Sequence, residues 1–258
     1  MKSFKMKALA VAVLGLAGMG SAMAVCPASA VTPVGAWDSQ SATFGTIAVV
    51  GGAAGQGLNG TACKLSLNVN AGGQVNTKAF VSNTTGPLNE ARYRARFYVE
   101  TTGLTGLTAA NRQSFIFSAQ ATTGPAGLSL AEVNGLIVGG ATPSFAFLVG
   151  DTTQPAGFQT ITVPFPDASG EYRVEFDLTT GNPGSFRCWV TAAGTATVDA
   201  TPTPAACAAT AVTNAGWGGI SRFNLGLANV SQQFRANLVG QILSVDEFDS
   251  RRQTFIGQ

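Results

Sequence analysis

The sequence predicts an all-β chain built as two packed antiparallel sheets, and three observations predict it. Apolar and polar residues alternate with period two from residue 43 onward. No long stretch carries a 3.6-residue period. Clusters of Gly, Pro, Asn and Thr, such as Thr123-Gly124-Pro125 and Gly181-Asn182-Pro183-Gly184, interrupt the alternation at short intervals. Short strands with frequent turn signals fit a sandwich better than a parallel α/β sheet.

The chain opens with a different signal. Lys2, Lys5 and Lys7 precede an apolar run from Ala8 to Gly20, and Ala22-Met23-Ala24 has the small-x-small pattern of a signal-peptidase site. The run is too short for a stable membrane anchor. Residues 1–24 are therefore expected to be a cleaved signal peptide and residues 25–258 a single β-sandwich domain, secreted or periplasmic after cleavage near Ala24.

Individual strands follow from the alternation. In 63–70, Cys63, Leu65, Leu67 and Val69 share one face; in 92–100, Tyr93, Ala95, Phe97 and Val99 do so against Arg92, Arg94, Arg96, Tyr98 and Glu100. In 171–178, Tyr172, Val174, Phe176 and Leu178 oppose Glu171, Arg173, Glu175 and Asp177. Segments 113–119, 144–149, 158–165, 185–191, 220–227, 233–239 and 242–249 read as further strands. A transmembrane barrel would need longer strands and aromatic girdles, and three Trp with three Tyr do not supply them.

Cys26, Cys63, Cys188 and Cys207 are an even set in an exported chain, which implies two disulfides. Metal binding would need close C-x-x-C pairs or His partners, and neither occurs. Of the three possible connectivities, the sequence-local one, Cys26–Cys63 with Cys188–Cys207, is expected. The Ala/Thr/Pro-rich piece from Thr191 to Asn214 then becomes a clipped, ordered loop.

Charged residues make up only 11% of the chain, and the leader holds three of its 15 basic residues against 13 acidic ones, so the mature part is near neutral. That balance gives no nucleic-acid signal. The absence of histidine excludes Ser-His-Asp and Cys-His catalysis and His-ligated zinc.

The strand Arg92-Tyr93-Arg94-Ala95-Arg96-Phe97-Tyr98-Val99, the segment Trp217…Leu225-Gly226 and the closing run Val245-Asp246-Glu247-Phe248-Asp249-Ser250-Arg251-Arg252…Ile256-Gly257 resemble bacterial secreted proteins of the LamG-like, concanavalin A-like jelly-roll class. The resemblance covers about two thirds of the chain, from Ala91 onward. It implies a two-sheet antiparallel jelly roll with the first and last strands close together. Members of the class bind glycans or proteins, or have no assigned activity.

Candidate chemistry is sparse. Glu171, Glu175 and Asp177 are the one carboxylate cluster that could serve a glycan hydrolase, but Arg173 stands where a jelly-roll glucanase has its middle acid. Arg92, Arg94 and Arg96 are expected to form structural ion pairs across neighbouring strands, with Asp246, Glu247, Asp249 or the Glu171–Asp177 face supplying the acids. Asp246-x-x-Asp249 lacks the spacing of a calcium loop, and no cofactor or metal is expected. Trp189 lies on the face opposite Cys188, beside Arg187, and Trp217 sits in a Gly-rich stretch; these three are the candidate ligand-binding residues, since a flat ring packs against a sugar face. The expectation is an exported binding module and not an enzyme, with a glycan or other cell-surface component as partner. A structural or adhesive surface protein is the alternative, and a carboxylate-dependent hydrolase ranks third.

Overall fold

In the computed structural model the described residues are 26–33, 35–69, 76–85, 89–167, 170–195, 207 and 210–251. The proposed signal peptide lies outside them. Among the described residues there are fourteen strands: β1 (Ser39–Thr43), β2 (Gly45–Gly51), β3 (Cys63–Val69), β4 (Lys78–Asn83), β5 (Arg92–Glu100), β6 (Gln113–Ala121), β7 (Ala131–Val138), β8 (Ser144–Gly150), β9 (Phe158–Pro164), β10 (Glu171–Thr179), β11 (Gly184–Ala192), β12 (Thr210–Val212), β13 (Ile220–Ala228) and β14 (Ile242–Arg251). They form two antiparallel seven-stranded sheets. The first runs β1-β4-β13-β6-β7-β8-β9 and the second β12-β11-β10-β5-β14-β3-β2. The all-β, two-sheet jelly-roll expectation holds.

The strands with the clearest alternation sit near the middle of the second sheet. β5 lies between β10 and β14, so the arginine-aromatic strand does neighbour the closing strand. Between β5 and β14 the register shifts at Asp246–Asp249, and Glu247 there takes a positive φ of 47°. Both expected disulfides are present, Cys26–Cys63 and Cys188–Cys207. Of the loop expected at Thr191–Asn214, residues 210–212 form β12 against β11, while 196–206 and 208–209 lie outside the described residues.

One expected strand is a helix. Residues 233–239 overlap α1 (Gln232–Asn237), whose start is capped by the Ser231 hydroxyl accepting from the Phe234 N–H. Phe234 and Leu238, four apart and buried, both join the core, which is helical spacing. The short length of the segment hid that period beside the alternating strands around it.

Between the sheets lies an aromatic layer with Phe117 at its centre. Its ring stacks on Phe176 of the opposite sheet at 5.1 Å between centroids and on Phe223 at 5.4 Å, and meets Phe97 edge-on at 5.6 Å. Gly135 on β7 leaves room for it: a Cβ there would collide with the Phe117 ring and crowd Phe145. Phe117→Ala should lower the unfolding free energy by about 3–5 kcal/mol, read by urea denaturation, because the layer cannot close over the void. A loss below 1 kcal/mol would show that Phe117 is not the centre of the packing.

Candidate functional site

The two sheets present opposite chemistry to the outside. On β5, β10 and β11 most side chains that alternate away from the core are charged or aromatic, and Arg94, Arg96, Tyr98, Arg173, Glu175, Asp177 and Trp189 are buried as well. Asp177 stands opposite Arg94 of β5 and Arg187 of β11 in the strand register. Its Oδ2 accepts from the Nη2 of Arg92 at 3.1 Å, of Arg94 at 3.0 Å and of Arg187 at 2.8 Å. Burial alone would raise this carboxyl, but the hydrogen bonds and positive charge of these arginines hold it below the usual carboxylate range. Arg173 and Glu175, both fully buried, pair at 2.5 Å. Glu171 accepts from the Asn59 N–H at 2.7 Å. The carboxylates considered for hydrolysis are thus engaged by neighbouring donors.

Several sequence-derived site residues fall on this face. Trp189 does alternate away from Cys188, yet it is only 1% exposed, with the Arg187 guanidinium 5.2 Å from its ring centroid. Arg187 itself is bound to Asp177. Neither residue presents an open sugar platform: alternation gives the side of the sheet, not whether that side meets water. Of the acids expected for Arg94, the one it pairs with is Asp177, its direct cross-strand neighbour. Arg96 does face Asp249 in register, and Glu175 on its other side. Asp246 accepts from the Leu58 N–H at 3.0 Å and the Thr61 hydroxyl at 2.5 Å. Burial raises its carboxyl, with those two bonds opposing. The turn carrying Leu58, which is itself 1% exposed, is thereby tied down over this part of the sheet.

The outer face of the first sheet is open and forms a groove of about 530 Å³. Its floor is laid by Phe80 of β4, Asn224 of β13, Ser118 and Gln120 of β6, Asn134 of β7 and Leu148 of β8. These alternate with the core residues Ala79, Val81, Phe223, Leu225, Ala119, Val133, Phe147 and Val149. The Ser82 hydroxyl donates to Asn224 Oδ1 at 2.7 Å and Gln120 Nε2 donates to Ser118 at 3.1 Å. Each amide therefore keeps hydrogen-bonding capacity to offer a ligand.

Two loops wall one end of the groove, and Trp217 is wedged behind them. Its indole N–H donates to the Ser129 carbonyl at 2.9 Å, and its ring packs closely on Gly150, where a Cβ would come within 3.0 Å of the nearest ring carbon. Trp217 is 2% exposed, so it shapes the groove and presents little surface to a ligand. Across from it, Asp151 fixes the turn leading to Phe158 through bonds from Thr153, Gln159 and Thr213. Phe158, 38% exposed, stands at the rim.

The sequence reading missed Glu132. It interrupts the core end of β7, fully buried, with its carboxylate accepting from the Thr180 hydroxyl and from Asn214 Nδ2, both at 2.8 Å. Burial pushes its carboxyl up to about 7, against the pull of those two bonds. The available signal was a lone acid inside the apolar segment Ala131–Val138. Asn214 also accepts the Gly181 N–H, so this network joins β7 to the turn after β10 and to the loop that carries Trp217.

No protein-family description and no curated protein sequence matches the chain. Solved structures do share the fold. One is an endo-β-1,4-glucuronan lyase from the fungus Trichoderma reesei, with TM-score 0.56 and 16% identity over 83% of this chain and 90% of that one. Another is a PL-14 alginate lyase from Aplysia kurodai, with TM-score 0.55 and 9% identity over 89% of this chain and 97% of that one. A third is a carbohydrate esterase from the Shiga toxin-encoding bacteriophage phi24B, with TM-score 0.50 and 14% identity over 82% and 88%. At these identities the likeness establishes the jelly-roll fold. It also corrects the expectation that the chain is not an enzyme. That expectation rested on missing histidine and a broken carboxylate motif, yet the same sandwich carries lyases and an esterase. Tyr and Lys also serve as acids and bases, so missing histidine does not exclude catalysis.

Glu132 yields a direct test of the network beside the groove. Its folded value of about 7 exceeds the ordinary 4.5. Its stabilising contribution is therefore complete below about pH 4.5 and lost as pH rises through about 7. Glu132→Gln keeps an acceptor for Thr180 and Asn214 but carries no charge, so it should be more stable than the parent at pH 8 by on the order of 2 kcal/mol. Below pH 4.5 the gain should vanish. Urea unfolding at both pH values measures this, and a variant less stable at pH 8 would contradict the burial argument.

Proposed function

We propose that the chain is an exported glycan-handling protein, one of the LamG-like branch of secreted jelly rolls, and that it holds a sugar chain along the outer face of its first sheet. The observation that supports this most is the groove: an elongated floor where the Phe80 ring lies among Ser118, Gln120, Asn134 and Asn224, with Phe158 at the rim. Sugars offer apolar ring faces and a fringe of hydroxyls, and an aromatic among primary amides matches both. Flat apolar patches mark protein assembly instead, and this groove is mixed and hollow. The LamG-like assignment draws on the pairing of the two segments that carry the resemblance, Arg92–Val99 and the closing run, as neighbours in one sheet. Export draws on the leader and the two disulfides.

An oligosaccharide array followed by calorimetry on the hits tests the reading, with the polysaccharide also assayed for new chain ends. Phe80→Ala and Asn224→Ala should each weaken binding about 5- to 30-fold, or about 1–2 kcal/mol, with unchanged thermal unfolding. Binding that survives both substitutions would place the ligand elsewhere.

A further inference from the structure

The charges of the first sheet are few and one-sided. Its seven strands contain Lys78, Arg222 and Glu132 as their charged residues. Glu132 is turned into the buried network with Thr180 and Asn214. Lys78 and Arg222 are on the groove side. Their strand neighbours Ala79 and Phe223 enter the core, and the residues two positions on, Phe80 and Asn224, line the groove.

The two cations sit toward opposite ends of that floor. Leu227 faces Ala79 and Phe223 faces Asn83, so Lys78 and Arg222 are about six residues apart along the strands, roughly 20 Å. The Lys78 ammonium lies 5.9 Å from the Phe80 ring centroid, and Arg222 is exposed. No carboxylate among the described residues pairs with either. Elsewhere the cations are used structurally: Lys64 pairs with Glu100, Arg92, Arg94 and Arg187 share Asp177, and Arg173 meets Glu175. Protection of a sheet edge does not account for the exception, since β4 and β13 are both interior strands.

We propose that the groove is selective for an anionic glycan, whose carboxylate or sulfate groups are held by Lys78 at one end and Arg222 at the other. This inference rests on the glycan reading above and adds the substrate class. The neutral amides between the cations would serve the hydroxyls of the intervening sugars. The charges that the strands of this face turn outward are both positive, which favours an anionic chain over a neutral one.

The test measures binding of the full mature protein to carboxylated, sulfated and neutral oligosaccharides of matched length, alginate and cello-oligosaccharides among them, at low and raised salt. The proposal expects tighter binding of anionic members, weakened by salt. Lys78→Gln and Arg222→Gln should each cost about tenfold for the anionic ligand and leave thermal unfolding unchanged. Neutral members binding as well as anionic ones, or anionic binding that ignores both substitutions and salt, would overturn the charge inference while leaving the glycan reading in place. Binding to no member of the set would overturn both.

Discussion

One carboxylate shared by three guanidinium groups organises this molecule. Asp177 gathers Arg92 and Arg94 from one neighbouring strand and Arg187 from the other, and the buried pair Arg173–Glu175 lies on the same face. Withdrawing such groups from water is costly unless each charge has partners, and removing one partner from a buried set leaves the others uncompensated. The outer face of β5, β10 and β11 is therefore committed to its own internal pairing. Its aromatic members, Tyr98 and Trp189, are buried with it. On the outer face of the first sheet the groove floor is laid mainly by neutral amides and the Phe80 ring, which need no such compensation.

The aromatic layer joins these two unlike sheets. Phe117 lies on β6, and the same strand sends Ser118 and Gln120 out to the groove floor. Strand periodicity makes the two roles inseparable: a slip of one residue in β6 would put the amide into the core and the ring into water. The rim is fixed in a different way. Asp151 ties one loop through Thr153, Gln159 and Thr213, and Trp217 props the other by filling the space beside Gly150. Floor and walls are thus set by rigid strands and satisfied polar contacts, as a preorganised binding surface requires.

Much of the fold was legible in the sequence because β5, β10 and β3 alternate cleanly, and because four cysteines offered one local pairing that the chain in fact uses. The site was much less so. Trp189 and Arg187 were chosen by alternation, which cannot distinguish an outward face that meets solvent from one that is covered. The groove residues Phe80, Gln120, Asn134 and Asn224 come from four different strands and converge only through the order β4-β13-β6-β7, which no local pattern encodes. Trp217 lies behind the groove wall almost fully buried, where it supports the wall and presents little surface of its own. The sequence left two strands open as partners of Arg94, and the register of β5 with β10, which places Asp177 directly opposite it, selects between them.

The central claim is that ligand engages the first sheet and leaves the second untouched, and amide hydrogen exchange with and without bound oligosaccharide tests it most directly. The account predicts added protection in 78–83, 118–120 and 220–228 and at the rim loop 151–158, with 171–179 and 184–192 unchanged. Protection confined to 171–179 and 184–192, with the groove strands unaltered, would contradict it.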